Sequence, residues 1–146
     1  MKMRSVENRI LVVSNDFTVR ELLGQILEAA DFTVHLAAHG REAVKTARTH
    51  PVKAIILDYR TPFDAKSGAP RHVNTLEALT DLDPFRPVIL TCKAGVELDY
   101  RSRLMADLIL RHPVTSVALL DGLKLLLSES LRERALRKSE YTIASR

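Results

Sequence analysis

The sequence predicts an α/β fold in which a five-stranded parallel sheet is covered on both faces by helices. Short, unbroken apolar runs (Ile10-Leu11-Val12-Val13, Ala54-Ile55-Ile56-Leu57, Val88-Ile89-Leu90, Leu108-Ile109-Leu110) have the length and β-branching of buried strands. Segments of helical period separate them, and that alternation calls for right-handed crossovers in a parallel sheet. The run at 54–57, set between Pro51 and Pro62, ends in a carboxylate, Asp58. Ligands of open α/β sheets sit beyond the carboxyl ends of the strands, so Asp58 is the first candidate for a functional residue. The alternative is a carboxylate that caps the following turn.

In chain order, Ile10–Val13 is the first strand and Ser14-Asn15-Asp16 the polar loop after it. Thr18-Val19-Arg20-Glu21 matches a capping box, and Leu22, Leu23, Ile26, Leu27 and Ala30 follow at helical spacing, which predicts helix 1 over Thr18–Ala30. Thr33–Ala37 alternates as an edge strand does, with His35 and His39 facing water. Gly40 opens helix 2, which Pro51 stops. Phe63–His72 lacks periodicity and reads as a loop, with helix 3 over Val73–Leu82. Pro87–Thr91 is the fourth strand, helix 4 spans Val96–Ala106, and the fifth strand, Leu108–Leu110, is closed by Arg111-His112-Pro113. Thr115 caps helix 5, which is expected to continue past Leu131. The chain divides into a domain over 1–131 and a basic helix extension with a frayed tail over 132–146.

At 146 residues, with 46% apolar and 27% charged residues, the chain suits one globular domain with an ordinary core. Neither a run of membrane-spanning length nor a leader pattern occurs, so a cytoplasmic protein without membrane contact is expected. Cys92, the single cysteine, is expected to be a small buried apolar residue. The sequence pI of about 9.5 suggests a polyanion partner until the charges are located. Residues 1–9 hold three basic and one acidic side chain and residues 132–146 five and two, leaving 14 basic against 15 acidic between them. Nucleic-acid binding is therefore not expected of the folded body, and the basic extension reads as a solvated face or linker.

The order of elements, together with Ile10–Val13, Ile55-Ile56-Leu57-Asp58-Tyr59-Arg60-Thr61-Pro62, Val88-Ile89-Leu90-Thr91 and His112-Pro113, resembles the receiver domain of bacterial two-component response regulators over about Arg9 to Leu131. The resemblance implies a flavodoxin-like (CheY-like) sheet of order 2-1-3-4-5, with the site above strands 1, 3, 4 and 5. It implies that Asp58 accepts a phosphoryl group from a sensor histidine kinase or phosphotransfer protein, that Thr91 is the strand-4 hydroxyl, and that the peptide before Pro113 is cis. It also implies docking, including homodimer contact, through the face of helix 4, strand 5 and helix 5.

Other parts of the family pattern have changed. The metal-binding acidic pair falls on Ser14 and Asn15, which offer magnesium no charge. Magnesium is expected to bind weakly, through Asp16, Asp58, the backbone carbonyl of Arg60 and Asn15. The family's lysine is His112, and an unperturbed imidazole, titrating near pH ~6.5, is mostly uncharged at neutral pH. Adjacent Arg111 points to the other side of the strand. Ile109, stiff at χ1, stands in the place of the aromatic switch residue. The segment 63–72 is longer than the family's, and either folds over Asp58, meets a partner or is a surface insertion.

The leading expectation is thus an atypical receiver in which Asp58, Thr91 and His112 form a degenerate phosphoryl site and output proceeds by docking. One alternative is a phosphorylation-competent receiver that uses Asp16 as substitute metal ligand. Another is a hydrolase built on Ser14, His112 and Asp58, although no Gly-x-Ser-x-Gly turn surrounds Ser14.

Overall fold

A computed structural model describes residues 8–59, 63–64 and 69–144. Five parallel strands, β1 (Arg9–Val13), β2 (Thr33–Ala37), β3 (Ala54–Tyr59), β4 (Val88–Cys92) and β5 (Leu108–Arg111), form one sheet of order β2-β1-β3-β4-β5, the predicted flavodoxin-like order. Six helices accompany it: α1 (Phe17–Ala29), α2 (Gly40–Thr49), α3 (Arg71–Leu82), α4 (Tyr100–Met105), α5 (Ser116–Ser128) and α6 (Leu131–Ala144). The period of two along each strand divides the core. Leu11, Val13, Ile55, Leu57 and Leu90 pack with α2 and α3 residues such as Ala43, Leu76 and Leu79. Ile10, Val12, Ile56 and Ile89 pack with Leu23 and Leu27 of α1 and Leu119 and Leu123 of α5. Strands buried on both faces explain why their sequences read as apolar runs. No helix among the described residues is long and apolar enough to cross a membrane.

Several predicted boundaries move, each for a local reason. Helix 1 starts at Phe17 because Asp16, not Thr18, is the cap: Asp16 is extended (φ −90°, ψ 113°) and accepts a hydrogen bond from the Val19 N–H. A carboxylate there also meets the positive end of the helix dipole. Helix 4 is shorter than Val96–Ala106, because Gly95 takes φ 83° and Asp99 becomes the cap, accepting from both the N–H and the hydroxyl of Ser102. The expected loop 63–72 contains a small antiparallel pair, Phe63–Asp64 with Ala69–Pro70, and α3 begins at Arg71. His39 is exposed as predicted and caps α2 through Nδ1. His35 is instead half-buried, with its ring stacked on His50 at 4.3 Å.

The largest correction concerns the C-terminus. Helix 5 does not continue as a projecting extension. It ends at Ser128, and Ser130 and Glu133 form a reciprocal capping box that starts α6: the Ser130 N–H donates to Glu133 Oε1 and the Glu133 N–H to Ser130 Oγ. The basic residues of α6 then hold it against the sheet. Arg137 donates to Asp107 at 2.5 Å and to both oxygens of Glu129 at 2.8 Å, while Lys138 donates to the Pro84 and Arg86 carbonyls. Asp107 precedes β5 and Arg86 precedes β4, so α6 lies at the N-terminal edge of the sheet, away from Asp58. Leu131 and Leu136 stay exposed, which makes charge rather than apolar burial the main attachment. The Arg137 hydrogen bond holds the Glu129 carboxyl below its ordinary pKa, and burial pulls the Lys138 ammonium down.

Two expected outcomes follow from these contacts. Arg137→Ala leaves Asp107, whose side chain is 3% exposed, with Lys138 as its remaining cation, and should cost about 1–3 kcal/mol in urea unfolding. At the β2 edge, Arg9 donates to His35 Nε2 at 2.9 Å, which requires a neutral imidazole. Burial first, then the neighbouring His50 and Arg9, lowers the His35 pKa, so the unfolded chain binds a proton more readily and stability falls as pH drops. His35→Gln, which still offers Arg9 an acceptor, should shrink the loss of melting temperature between about pH 7.5 and 5.5.

Candidate functional site

Asp58 is the last inward-facing residue of β3, on the central strand of the sheet, and is 2% exposed. Parallel register sets its neighbours. Asp58 lies opposite Thr91 on β4, and Val13 lies opposite Leu57, so Ser14 comes one step beyond β1 and level with Asp58. On β5, Leu110 lies opposite Thr91, and His112, two residues on, projects to the same side. The His112-Pro113 peptide is cis, as expected, and the His112 N–H donates to the Cys92 carbonyl.

Three side chains converge on the one carboxylate. Ser14 Oγ donates to Asp58 Oδ2 at 3.0 Å, Thr91 Oγ1 donates to Oδ1 at 2.6 Å, and His112 Nε2 lies 2.6 Å from the same Oδ1. Ser14 and Thr91 are buried and the His112 side chain is 16% exposed, so the cluster opens to solvent mainly along the imidazole. A buried carboxyl group needs such partners, because leaving its oxygens unpaired costs several kcal/mol. Two hydroxyls and an imidazole meet the Asp58 carboxylate among the described residues. Among the described residues, no group of three or more His, Cys, Asp or Glu side chains is placed to hold a metal ion.

The remaining predicted site residues are not gathered around Asp58 in the same way. Asp16 commits Oδ1 to the α1 cap, and its N–H donates to Ser14 Oγ. Asn15 is exposed. Arg60, proposed to offer its carbonyl, lies outside the described residues. Ser14, Asp58 and His112 do meet, but in the order serine, aspartate, histidine, so the serine hydroxyl addresses the carboxylate and, among the described residues, no imidazole hydrogen-bonds to it as base. Arg111 points away, its guanidinium reaching Cys92 Sγ and the Lys93 and Val96 carbonyls, where it fastens the loop before α4. Cys92 is fully buried, and that burial pushes its thiol pKa up.

Arg20 was missed by the sequence reading. It sits one turn after the Asp16 cap, rests 5.4 Å from the centroid of the Phe17 ring and donates to the Ser14 carbonyl at 2.9 Å. This places a fixed cation at the end of β1, beside the residue that donates to Asp58. Its only sequence signal is its position four residues after the true cap.

No family model matches the chain. Its fold resembles a CheY-like response regulator receiver domain protein of Methanospirillum hungatei, with a TM-score of 0.69 and 24% identity over 82% of this chain and 93% of that one. It also resembles the response regulator protein TrrA of Thermotoga maritima, solved in complex with magnesium and beryllium fluoride, at TM-score 0.68 and 24% identity over 82% and 98%. The fold is that of the CheY-like receiver domains. Vibrio cholerae CheY4 shares this receiver fold at TM-score 0.68 and 22% identity over 81% and 97%. In sequence, the transcriptional regulatory protein SrrA of Staphylococcus aureus is 35% identical over 57 residues, which are 39% of this chain. The match covers 24% of that regulator's length.

The short contacts predict that Thr91→Val costs about 1–3 kcal/mol of stability, because an isosteric methyl removes one of the two groups at the buried Asp58 Oδ1 and leaves it with His112. In an Asp58→Asn background the same substitution should cost less, a coupling that a double-mutant cycle in urea reads directly.

Proposed function

We propose that this chain is an atypical receiver module of two-component signalling, in which Asp58 occupies the phosphoacceptor position and the surrounding site is degenerate. The observation that carries this reading is the convergence of Ser14, Thr91 and His112 on the Asp58 carboxylate. Phosphoryl transfer to a carboxylate brings two anions together, and a site that favours it supplies metal and fixed cations for the developing charge. Here the contacts among the described residues are hydroxyls and an imidazole. Magnesium, a hard ion that demands several oxygen ligands in near-octahedral geometry, is poorly served by one carboxylate and a serine hydroxyl. The donor set does not fit it well, and the Asp16 cap supports that reading over one in which Asp16 replaces the missing ligand.

Thr91 donates to the bare carboxylate, so the hydroxyl is already drawn to the site without a phosphoryl group. Ile109, half-buried against the α2–α3 core cluster, replaces the ring whose rotation would report such a movement. Output then rests on docking of a fixed surface, with a sensor histidine kinase or phosphotransfer protein as upstream partner. Homodimer contact through α4, β5 and α5 belongs to the same proposal. Leu119, Leu123 and Leu126 of α5 are committed to the core, while Val117 and Leu125 remain exposed for contact.

Incubation with acetyl phosphate and magnesium tests the reading by intact mass. The chain should take up a phosphoryl group in low yield, with none in Asp58→Asn, and Ser14→Asp combined with Asn15→Asp and His112→Lys should raise the yield and tighten magnesium binding by calorimetry. Stoichiometric, stable labelling of the unaltered chain would overturn the degenerate site, and labelling that persists in Asp58→Asn would overturn the acceptor.

A further inference from the structure

On the face of the sheet opposite to α1 and α5, a groove of about 570 Å³ runs between α2 and α3. One wall is a row of cations, Arg41, Lys45 and Arg48, and the floor is Val44, Thr75 and Ala78. Residues at i, i+4 and i+7 share one side of a helix, so all three charges line the same edge. All three are exposed, and among the described residues none forms a salt bridge or side-chain hydrogen bond. Other cations of the molecule are engaged: Arg137 and Lys138 by Asp107, Arg101 by Glu77, Arg20 and Arg111 by carbonyl oxygens. The opposite wall offers no carboxylate. Of the two acidic residues of α3, Glu77 pairs with Arg101 of α4, and Asp81, one turn beyond Ala78, is exposed and forms no salt bridge with the row among the described residues.

We propose that this groove docks an amphipathic helix of a partner protein whose apolar stripe is bordered by carboxylates. Three unneutralised cations beside an apolar floor call for an occupant that is apolar on one face and acidic along its edge. Spacing selects a helix. The cations are separated along α2 by about 6 Å and then about 4.5 Å, the rise of four and three helical residues. Carboxylates at i, i+4 and i+7 of a second helix lie at that pitch, whereas same-face side chains of an extended peptide recur every ~6.6 Å and fall out of step. A second copy of this chain does not supply the helix, because each of α1 to α6 carries at most two carboxylates. A nucleic acid strand is disfavoured by the apolar floor and by the absence of aromatic rings from the lining.

The test uses three probes with the full chain: a stapled helical peptide with a leucine stripe and glutamates at i, i+4 and i+7 beside it, the same peptide with lysines for glutamates, and a mixed-sequence DNA duplex. Fluorescence anisotropy should show saturable binding of the acidic peptide that weakens as salt is raised. The Arg41→Glu, Lys45→Glu, Arg48→Glu triple variant should weaken it by at least ~10-fold. Ala78→Trp, which fills the floor, should weaken it too, and circular dichroism reports whether each variant folds. Lys45→Ala alone provides a milder variant, expected to weaken binding by a few-fold. Absence of saturable binding, equal binding of the lysine peptide, or an affinity untouched by the groove substitutions would overturn the proposal. Tighter binding of the duplex with loss in the same triple variant would overturn it in favour of a polyanion site. Asp58→Asn should bind the acidic peptide as the unaltered chain does, so failure of the phosphoacceptor reading stays distinguishable from failure of this one.

Discussion

A single buried carboxylate at the end of the central strand organises this molecule. Asp58 is nearly inaccessible to water, and a polar group so placed persists only if its oxygens are hydrogen-bonded. Among the described residues, partners come from the ends of β1 and β4 and from the turn after β5, so satisfying one side chain ties together how these elements finish. Those same elements carry the core. The apolar run before Asp58 is buried on both faces, and a shift of one residue in register would turn its carboxylate toward the α2–α3 layer and bring Leu57 to the site.

The same requirement bears on function. A receiver site that collects acidic groups is strained by like charges until a cation arrives. Among the described residues, hydroxyls and an imidazole meet the aspartate. Arg20 on the Ser14 carbonyl adds a fixed positive charge at the edge of the cluster. These contacts are what the proposed docking module rests on.

Charge is distributed with similar economy elsewhere. Of the basic C-terminal segment, Arg134, Arg137 and Lys138 pair in the fold with Asp107 and Glu129 at the far edge of the sheet. The surplus left on the α2–α3 side is the row Arg41, Lys45 and Arg48. Net charge alone would have pointed to the C-terminus as the binding element, whereas pairing distances point to α2.

The strands and the strand-end place of Asp58 were legible in the sequence, because strands buried on both faces must be continuously apolar, whereas the strand order followed from the resemblance to receiver domains. Thr91 and His112 were picked out by the same resemblance. Helix ends were less legible: Asp16 and Thr18 are both capping residues, and only backbone conformation decides which is extended. The Ser130–Glu133 box was present in the sequence, but helix-favouring leucines and arginines on either side concealed it. Tertiary structure alone decided that α6 turns back, that Arg20 reaches Ser14, and that Ser14 addresses the carboxylate rather than the imidazole. Each depends on groups far apart in the chain meeting at hydrogen-bond distance, and local pattern holds no information about such meetings.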